Sequence, residues 1–233
     1  MSVCKLSYKN SILSVQAKQL KAVGARRITN TGCRKVIGKF PSLKMNSTIW
    51  WESQIERDYI YLLEIDPTVQ SYRSQPFKLT YLHAGKTRTY TPDFWVIRPL
   101  CQQVVEVKPE RKVNDSSYFE LWRHIVPVCR DMGMEFVVVT DVMIRQQPQL
   151  DNIKLLYKYA RNPLSLQQII ECQRYFTHRE PTSLKVASLE LDPKGISLNL
   201  LFKLLYVGVI SCDLRQPIGA DSLIQLSHFP GEV

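Results

Sequence analysis

Five consecutive residues, Val104-Val105-Glu106-Val107-Lys108, restrict this chain more than any other segment. β-branched residues dominate the run, so it reads as a strand. Side chains along a strand point alternately to its two faces. Val105 and Val107 therefore share one face, and Glu106 and Lys108 share the other. A second strand is expected over Thr91-Pro92-Asp93-Phe94-Trp95-Val96-Ile97, opening on a carboxylate. Glu106 lies thirteen positions after Asp93, which leaves room for one turn between adjacent strands.

An acid at the head of one strand, followed by acid-x-Lys on the next, is the PD-(D/E)xK pattern of metal-dependent nucleases. Its chemistry follows from the residue types. Phosphodiester hydrolysis needs an activated water and a stabilised leaving oxygen, and a divalent cation held by carboxylates serves both needs. Mg²⁺ prefers hard oxygen ligands and keeps several waters, so a few carboxylates suffice. Asp93 and Glu106 are the expected ligands, joined by the backbone carbonyl of Val107. Lys108 is expected to orient water and offset charge that builds in the transition state. A general-base role would require an amine that ordinarily titrates near 10.4 to be shifted far down.

A further acid is expected from the helix predicted over residues 52–64. Ile55, Tyr59, Leu62 and Leu63 form its apolar stripe, and Asp66-Pro67 ends it. Glu56 borders Tyr59, Ile60 and Leu63 at helical spacing. It has two readings that the sequence leaves open. It is a metal-binding acid facing the sheet, or it closes a capping box by reaching back to the Ser53 amide.

The remaining pattern has the order α-β-β-β-α-β. A hairpin is expected from Phe77 through a turn at Gly85 to Ile97. The Glu106 strand follows, then a helix over 117–131 with a break at Pro127, then a buried strand over Glu135–Thr140. Beyond residue 150, a helix over 151–161, one capped by Ser165, one after Ser197, and strand-like segments at 209–212 and 222–226 suggest a winged helix. That part carries nine basic and eight acidic residues, a balance that favours protein docking over DNA reading.

Net charge is +10, and its distribution matters. Residues 1–49 hold ten Lys or Arg and no Asp or Glu, while everything after them is neutral in sum. This leader reads as a phosphate-binding arm, with Arg26, Arg27, Arg34, Lys35 and Lys39 as candidate DNA contacts. Three units are therefore expected: an arm over 1–49, a catalytic domain over 50–148 and a C-terminal unit over 149–233. No apolar run reaches the length of a membrane span, and no apolar leader is seen. Six cysteines without a CxxC pair fit a reduced cytoplasmic setting rather than a zinc site. The four histidines are scattered, and neither a Gly-rich phosphate loop nor a Ser-His-Asp grouping can be argued.

A more specific likeness lies in the run from Ser53-Gln-Ile-Glu56 through Gln75-Pro-Phe to Tyr90-Thr-Pro-Asp93-Phe and Val105-Glu-Val-Lys108-Pro. Over residues 35–140 the chain resembles TnsA, the endonuclease subunit of heteromeric, Tn-seven-type transposases. The resemblance implies a restriction-endonuclease-like core, a mixed central sheet flanked by helices. It also implies Mg²⁺-dependent (or Mn²⁺-dependent) cleavage of the non-transferred strands at the 5′ ends of the transposon. Double-stranded transposon-end DNA, a TnsB-like transposase and a TnsC-like ATPase would be its partners, in a bacterial, nucleoid-associated setting. By that resemblance Glu56, Asp93 and Glu106 are metal-binding acids and Lys108 is the catalytic amine. Some members carry Gln at the place of Glu106. Two alternatives use the same core: a stand-alone restriction or repair endonuclease, and a DNA-binding adaptor without turnover.

Overall fold

The computed structural model describes residues 36–227. It opens with an antiparallel hairpin, β1 (Gly38–Ser42) and β2 (Ser47–Trp51). Phe40, Ile49 and Trp51 alternate inward and are buried, while Lys39 and Trp50 face out. Lys39 Nζ lies 4.7 Å over the Trp50 ring. Gly38 is forced by packing, because a Cβ there would come within 2.0 Å of the Trp51 ring. The arm expected over 1–49 is thus too long. Charge counting absorbed a stretch whose alternating apolar residues fold it into the body.

Helix α1 (Gln54–Ile65) starts at Ser53, whose side chain accepts the Glu56 amide, and stops at Asp66, where Pro67 favours extended backbone. Its C-terminal end is clasped by the β1–β2 turn. Lys44 Nζ donates to the carbonyls of Leu63 and Asp66 at 2.7 and 2.5 Å. Buried Glu64 accepts from Ser42 Oγ, Tyr72 Oη and the amides of Leu43 and Lys44.

Next come β3 (Ser71–Ser74), β4 (Leu79–His83), β5 (Lys86–Tyr90), β6 (Phe94–Ile97) and β7 (Gln102–Lys108). The short helix α2 (Glu110–Val113), helix α3 (Ser116–Asp131) and strand β8 (Glu135–Thr140) follow. A four-stranded mixed sheet has the order β3-β6-β7-β8, with β7 antiparallel to β6 and parallel to β8. β4 and β5 form a hairpin of their own, so the expected continuous strand to Ile97 breaks at Thr91–Asp93 and β6 enters the other sheet. α3 runs through Pro127 without the expected break. Pro127 sits on the exposed side, where solvent can serve the carbonyl it releases.

Val104, Val105, Glu106 and Val107 are all buried, as befits a central strand covered on both faces. Val105 and Val107 pack with Tyr59, Ile60 and Leu63 of α1, whereas Val104 packs with Leu79, Tyr90 and with Ile125 and Cys129 of α3. The sheet thus lies between α1 on one side and α3 with the β4–β5 hairpin on the other.

The short helix α4 (Asp141–Ile144) and α5 (Gln149–Tyr159) return the chain to α1. Their link is Asp58, 3% exposed, which faces Arg57 at 3.1 Å, Arg145 at 2.8 Å and Lys154 at 2.9 Å. Burial would raise its pKa, but the three cations overcome that and hold it below the usual carboxylate value. Removing one member of a buried ionic group leaves the others uncompensated. Asp58→Ala is expected to cost about 3 kcal/mol. The corresponding fall in Tm is roughly 6–12 °C for a chain of this size. Calorimetry of the variant checks this, and an unchanged Tm would show that the clamp contributes nothing.

The last unit comprises α6 (Leu166–Phe176), β9 (Thr182–Ser183), α7 (Leu184–Leu191), a 3-10 turn, α8 (Leu198–Tyr206), β10 (Ile210–Ser211) and β11 (Leu223–Leu226). Ser165 and Gln168 form a full capping box on α6. The three strands pair antiparallel in the order β10-β11-β9. Their core gathers Cys172, Phe176, Leu184, Leu191, Leu201, Leu204 and Ile224. Helix α5 ties it to the sheet domain, with Leu156 in this core and Tyr157 packed on the first. Tyr157 Oη donates to the Pro41 carbonyl at 2.6 Å.

Candidate active site

Three of the expected side chains meet at the ends of β6 and β7. Alternation places Glu106 and Lys108 on the face opposite Val105 and Val107, and Asp93 precedes Phe94 at the mouth of β6. Lys108 Nζ lies 2.5 Å from Glu106 Oε1 and 3.4 Å from Asp93 Oδ2. The Val107 amide donates to Asp93 Oδ2 at 2.8 Å. The N–H and C=O of one strand residue leave on the same edge. The β6–β7 ladder ends at Phe94 opposite Val105, so the Val107 carbonyl also leaves towards Asp93, clear of the ladder.

Glu56 arrives differently. It is buried on α1, the helix that covers the other face of the sheet. Its Oε1 accepts from Ser53 Oγ at 2.8 Å and its Oε2 from the Glu52 amide at 2.8 Å. The capping contact therefore exists, but it reaches the Glu52 amide rather than that of Ser53. The Asp93 charge still acts on Glu56. So the structure joins Asp93, Glu106 and Lys108 directly and leaves Glu56 beside them, engaged at the helix cap.

The electrostatics reflect a surplus of negative charge. Burial first, then the neighbouring Asp93, pushes both Glu56 and Glu106 up to about 7. Asp93 is raised as well, since burial outweighs the pull of Lys108 and the Val107 amide. Burial alone would depress Lys108, but Asp93 and Glu106 reverse that and hold its amine firmly protonated. In this state the lysine is a charge stabiliser and hydrogen-bond donor, not a base.

Two tyrosines complete the surroundings and were not singled out in the sequence. Tyr90, the last residue of β5, donates its hydroxyl to Glu106 Oε2. Tyr118 on α3 lies 5.6 Å from Lys108 Nζ by its ring centre and stacks on Trp122. The signal for Tyr90 was its place three residues before Asp93, at a strand end.

No group of three His, Cys, Asp or Glu residues among the described residues forms a ready-made metal cage. The donor set nevertheless fits Mg²⁺. Two carboxylates and a strand carbonyl are hard oxygens, and this ion needs only one or two carboxylates beside its waters. Asp93 and buried Glu106 share one ammonium group, with buried Glu56 nearby, a surplus of negative charge that an added cation would relieve. Of the candidate DNA contacts, Arg26, Arg27, Arg34 and Lys35 lie outside the described residues, and Lys39 is exposed. Arg111 and Lys112 on α2 are exposed immediately beyond the Lys108 strand.

A mixed sheet flanked by helices, with two acids and a lysine at the ends of its middle strands, is the layout of a nuclease-like fold. Residues 66–141 match the family model described as the TnsA-like endonuclease N-terminal domain. Over that stretch, about a third of the chain, the protein is similar to the TnsA-like endonuclease domain. The match spans Asp93, Glu106 and Lys108, and begins after the helix that bears Glu56. No curated protein matches the chain. Among the described residues no helix is long and apolar enough to cross a membrane.

Proposed function

We propose that this protein is the metal-dependent DNA endonuclease subunit of a heteromeric transposase. It cuts the non-transferred strands at the 5′ ends of the transposon during cut-and-paste transposition. The observation that carries this reading is the Lys108 amine set between Asp93 and Glu106 within a TnsA-like domain. Asp93, Glu106 and the Val107 carbonyl would hold Mg²⁺, or Mn²⁺ in its place, with Glu56 as a further acid. When bound, the ion lowers the pKa of a water and offsets charge on the phosphate. Lys108 donates to the scissile phosphate and neutralises charge as it builds. Tyr90 fixes the orientation of Glu106.

The DNA grip is assigned to the basic arm, with Arg26, Arg27, Arg34 and Lys35 leading into exposed Lys39. Such contacts follow the backbone and carry no sequence information. End recognition is therefore left to a TnsB-like transposase. The C-terminal unit is read as a winged helix, a reading supported by its helices and its three-stranded antiparallel sheet in the order β10-β11-β9. Its α8, where a groove-reading helix would lie, is largely buried and packs against α5. That favours docking to a protein, a TnsC-like ATPase, over base reading.

The test uses the full chain, Mg²⁺ and end-labelled DNA bearing a transposon end, with and without a TnsB-like partner. Nicking at the 5′ end that depends on the partner is expected. Cutting of arbitrary plasmid without it would indicate a stand-alone restriction or repair enzyme. DNA binding with no cleavage under either condition would indicate an adaptor.

A further inference from the structure

Leu79, Tyr81 and His83 alternate along β4, so they share the face that turns towards α3. Leu79 packs with Ile125 and Cys129 of that helix, Tyr81 and His83 are half-buried, and Leu82 on the opposite face is 64% exposed. On α3, Glu120 and His124 stand four residues apart and so lie on one side of the helix. The two patterns meet. His83 Nδ1 lies 3.3 Å from His124 Nε2, and Glu120 Oε1 lies 3.9 Å from His83 Nδ1. The Tyr81 ring stacks on that of His124, with centroids 5.5 Å apart, which holds the imidazole in orientation. The histidines are 41 residues apart in sequence, so their spacing gives no ligand pattern there.

Two readings of the pair compete. In a hydrogen bond one ring nitrogen donates to the other, but 3.3 Å is at the long end for an N–H donor. A metal fits the spacing better. Two ligands each about 2.0–2.1 Å from a tetrahedral Zn²⁺ stand about 3.3 Å from one another. Among the described residues no three such groups already enclose a point, so the third ligand here has to move. Glu120 can do so. Its side chain is 63% exposed and can swing towards the two nitrogens without leaving a packed position.

We propose that His83, His124 and Glu120 form a Zn²⁺ site that clasps the β4–β5 hairpin to α3, separate from the nuclease site and independent of the nuclease reading. Imidazole nitrogens suit Zn²⁺, whereas Mg²⁺ prefers oxygen, so the two centres select different ions. Water takes the fourth position. Both histidines bind as neutral imidazoles, through the nitrogens that now face each other. The proton between those nitrogens passes to the far nitrogen of its own ring, a change of tautomer in which no proton leaves the pair. The clasped elements both reach the nuclease site, since β5 ends on Tyr90, which donates to Glu106, and α3 carries Tyr118 beside Lys108.

The test titrates the full chain with Zn²⁺ by calorimetry, with Mg²⁺ in excess to fill oxygen-lined sites. The parent should bind Zn²⁺, and His83→Gln and His124→Gln should each bind it at least about tenfold more weakly. Free Zn²⁺ about a hundredfold above its Kd should raise the parental Tm by roughly 5–10 °C. The Tm of either variant should stay nearly unchanged by the ion. Electron paramagnetic resonance of the Cu²⁺-loaded parent should show coupling to two imidazole nitrogens, which the carboxylate-lined nuclease site cannot supply. Should a variant fail to fold, that spectrum decides the matter by itself. Equal Zn²⁺ binding by the parent and both folded variants places the ion elsewhere and overturns the proposal. So does a parent that binds no Zn²⁺, or a Cu²⁺ spectrum with oxygen ligands alone.

Discussion

Asp93→Asn should reduce partner-dependent nicking by on the order of 10³-fold while leaving the fold intact. A carboxylate that holds the catalytic cation contributes several kcal/mol to transition-state stabilisation. Each ~1.4 kcal/mol is a factor of ten in rate. Asparagine keeps an acceptor for the Val107 amide, now bonded to Asp93 Oδ2 at 2.8 Å, so no buried N–H is left unpaired. What disappears is one negative charge beside Lys108, 3.4 Å away. Lys108→Ala should produce a loss of similar size by a different route, because Asp93 and Glu106 then face each other without their ammonium neighbour. Nicking by Asp93→Asn within a few fold of the parent would mean that the strand-head acid is structural.

The second large effect concerns stability and pH in the absence of divalent cations. Glu56 and Glu106 are pushed to about 7, from an ordinary value of 4.5, by burial and then by Asp93. Between those values the folded chain binds protons that the unfolded chain does not. These two acids therefore destabilise the fold fully above pH 7 and cease to do so below about 4.5. Each contributes about 3 kcal/mol at the upper limit. Their sum is smaller than twice that, since both depend on the same Asp93. The Tm in chelator should rise by several degrees as pH is lowered from 8 to 5. It should fall again in stronger acid, as Asp58, whose pKa is depressed, takes up its proton and loses its cations. Glu106→Gln should raise Tm at pH 8 and flatten the profile, because Tyr90 Oη can either donate to the new amide or accept from it. A Tm that declines steadily from pH 8 to 5 would contradict the electrostatic account.

How far the sequence discloses this site depends on how local each signal is. Glu106 and Lys108 are legible because strand alternation fixes their shared face, and two flanking valines identify the strand. Asp93 is legible because Pro92 ends one element and Phe94 opens the next. Glu56 is only half legible. Ser53-x-x-Glu56 encodes a cap, and the cap forms, yet burial and the nearby Asp93 depend on how α1 settles on the sheet. Tyr90 is legible only as a residue near Asp93 at a strand end; its bond to Glu106, sixteen residues away in sequence, is not local. The β1–β2 hairpin was hidden for a simpler reason. Its lysines dominate a charge count, while the alternation of Phe40, Ile49 and Trp51 is short and split by a turn. Strand β3 has four residues and a polar composition, so only its pairing with β6 reveals it. The backbone of Gln75, at φ 44°, lies beyond sequence reasoning altogether, because nothing in a Gln-Pro pair calls for positive φ.

Manganese binding measured by electron paramagnetic resonance on the full chain tests the central claim most directly, because it reports the ligand set without needing partner or substrate. The parent should bind Mn²⁺ with displacement by Mg²⁺. Binding should weaken at least tenfold in Asp93→Asn and in Glu106→Gln, and should strengthen as pH rises through 7, where the acids shed their protons. Equal binding by the parent and both variants would place any metal elsewhere, and the proposed hydrolytic centre would not stand.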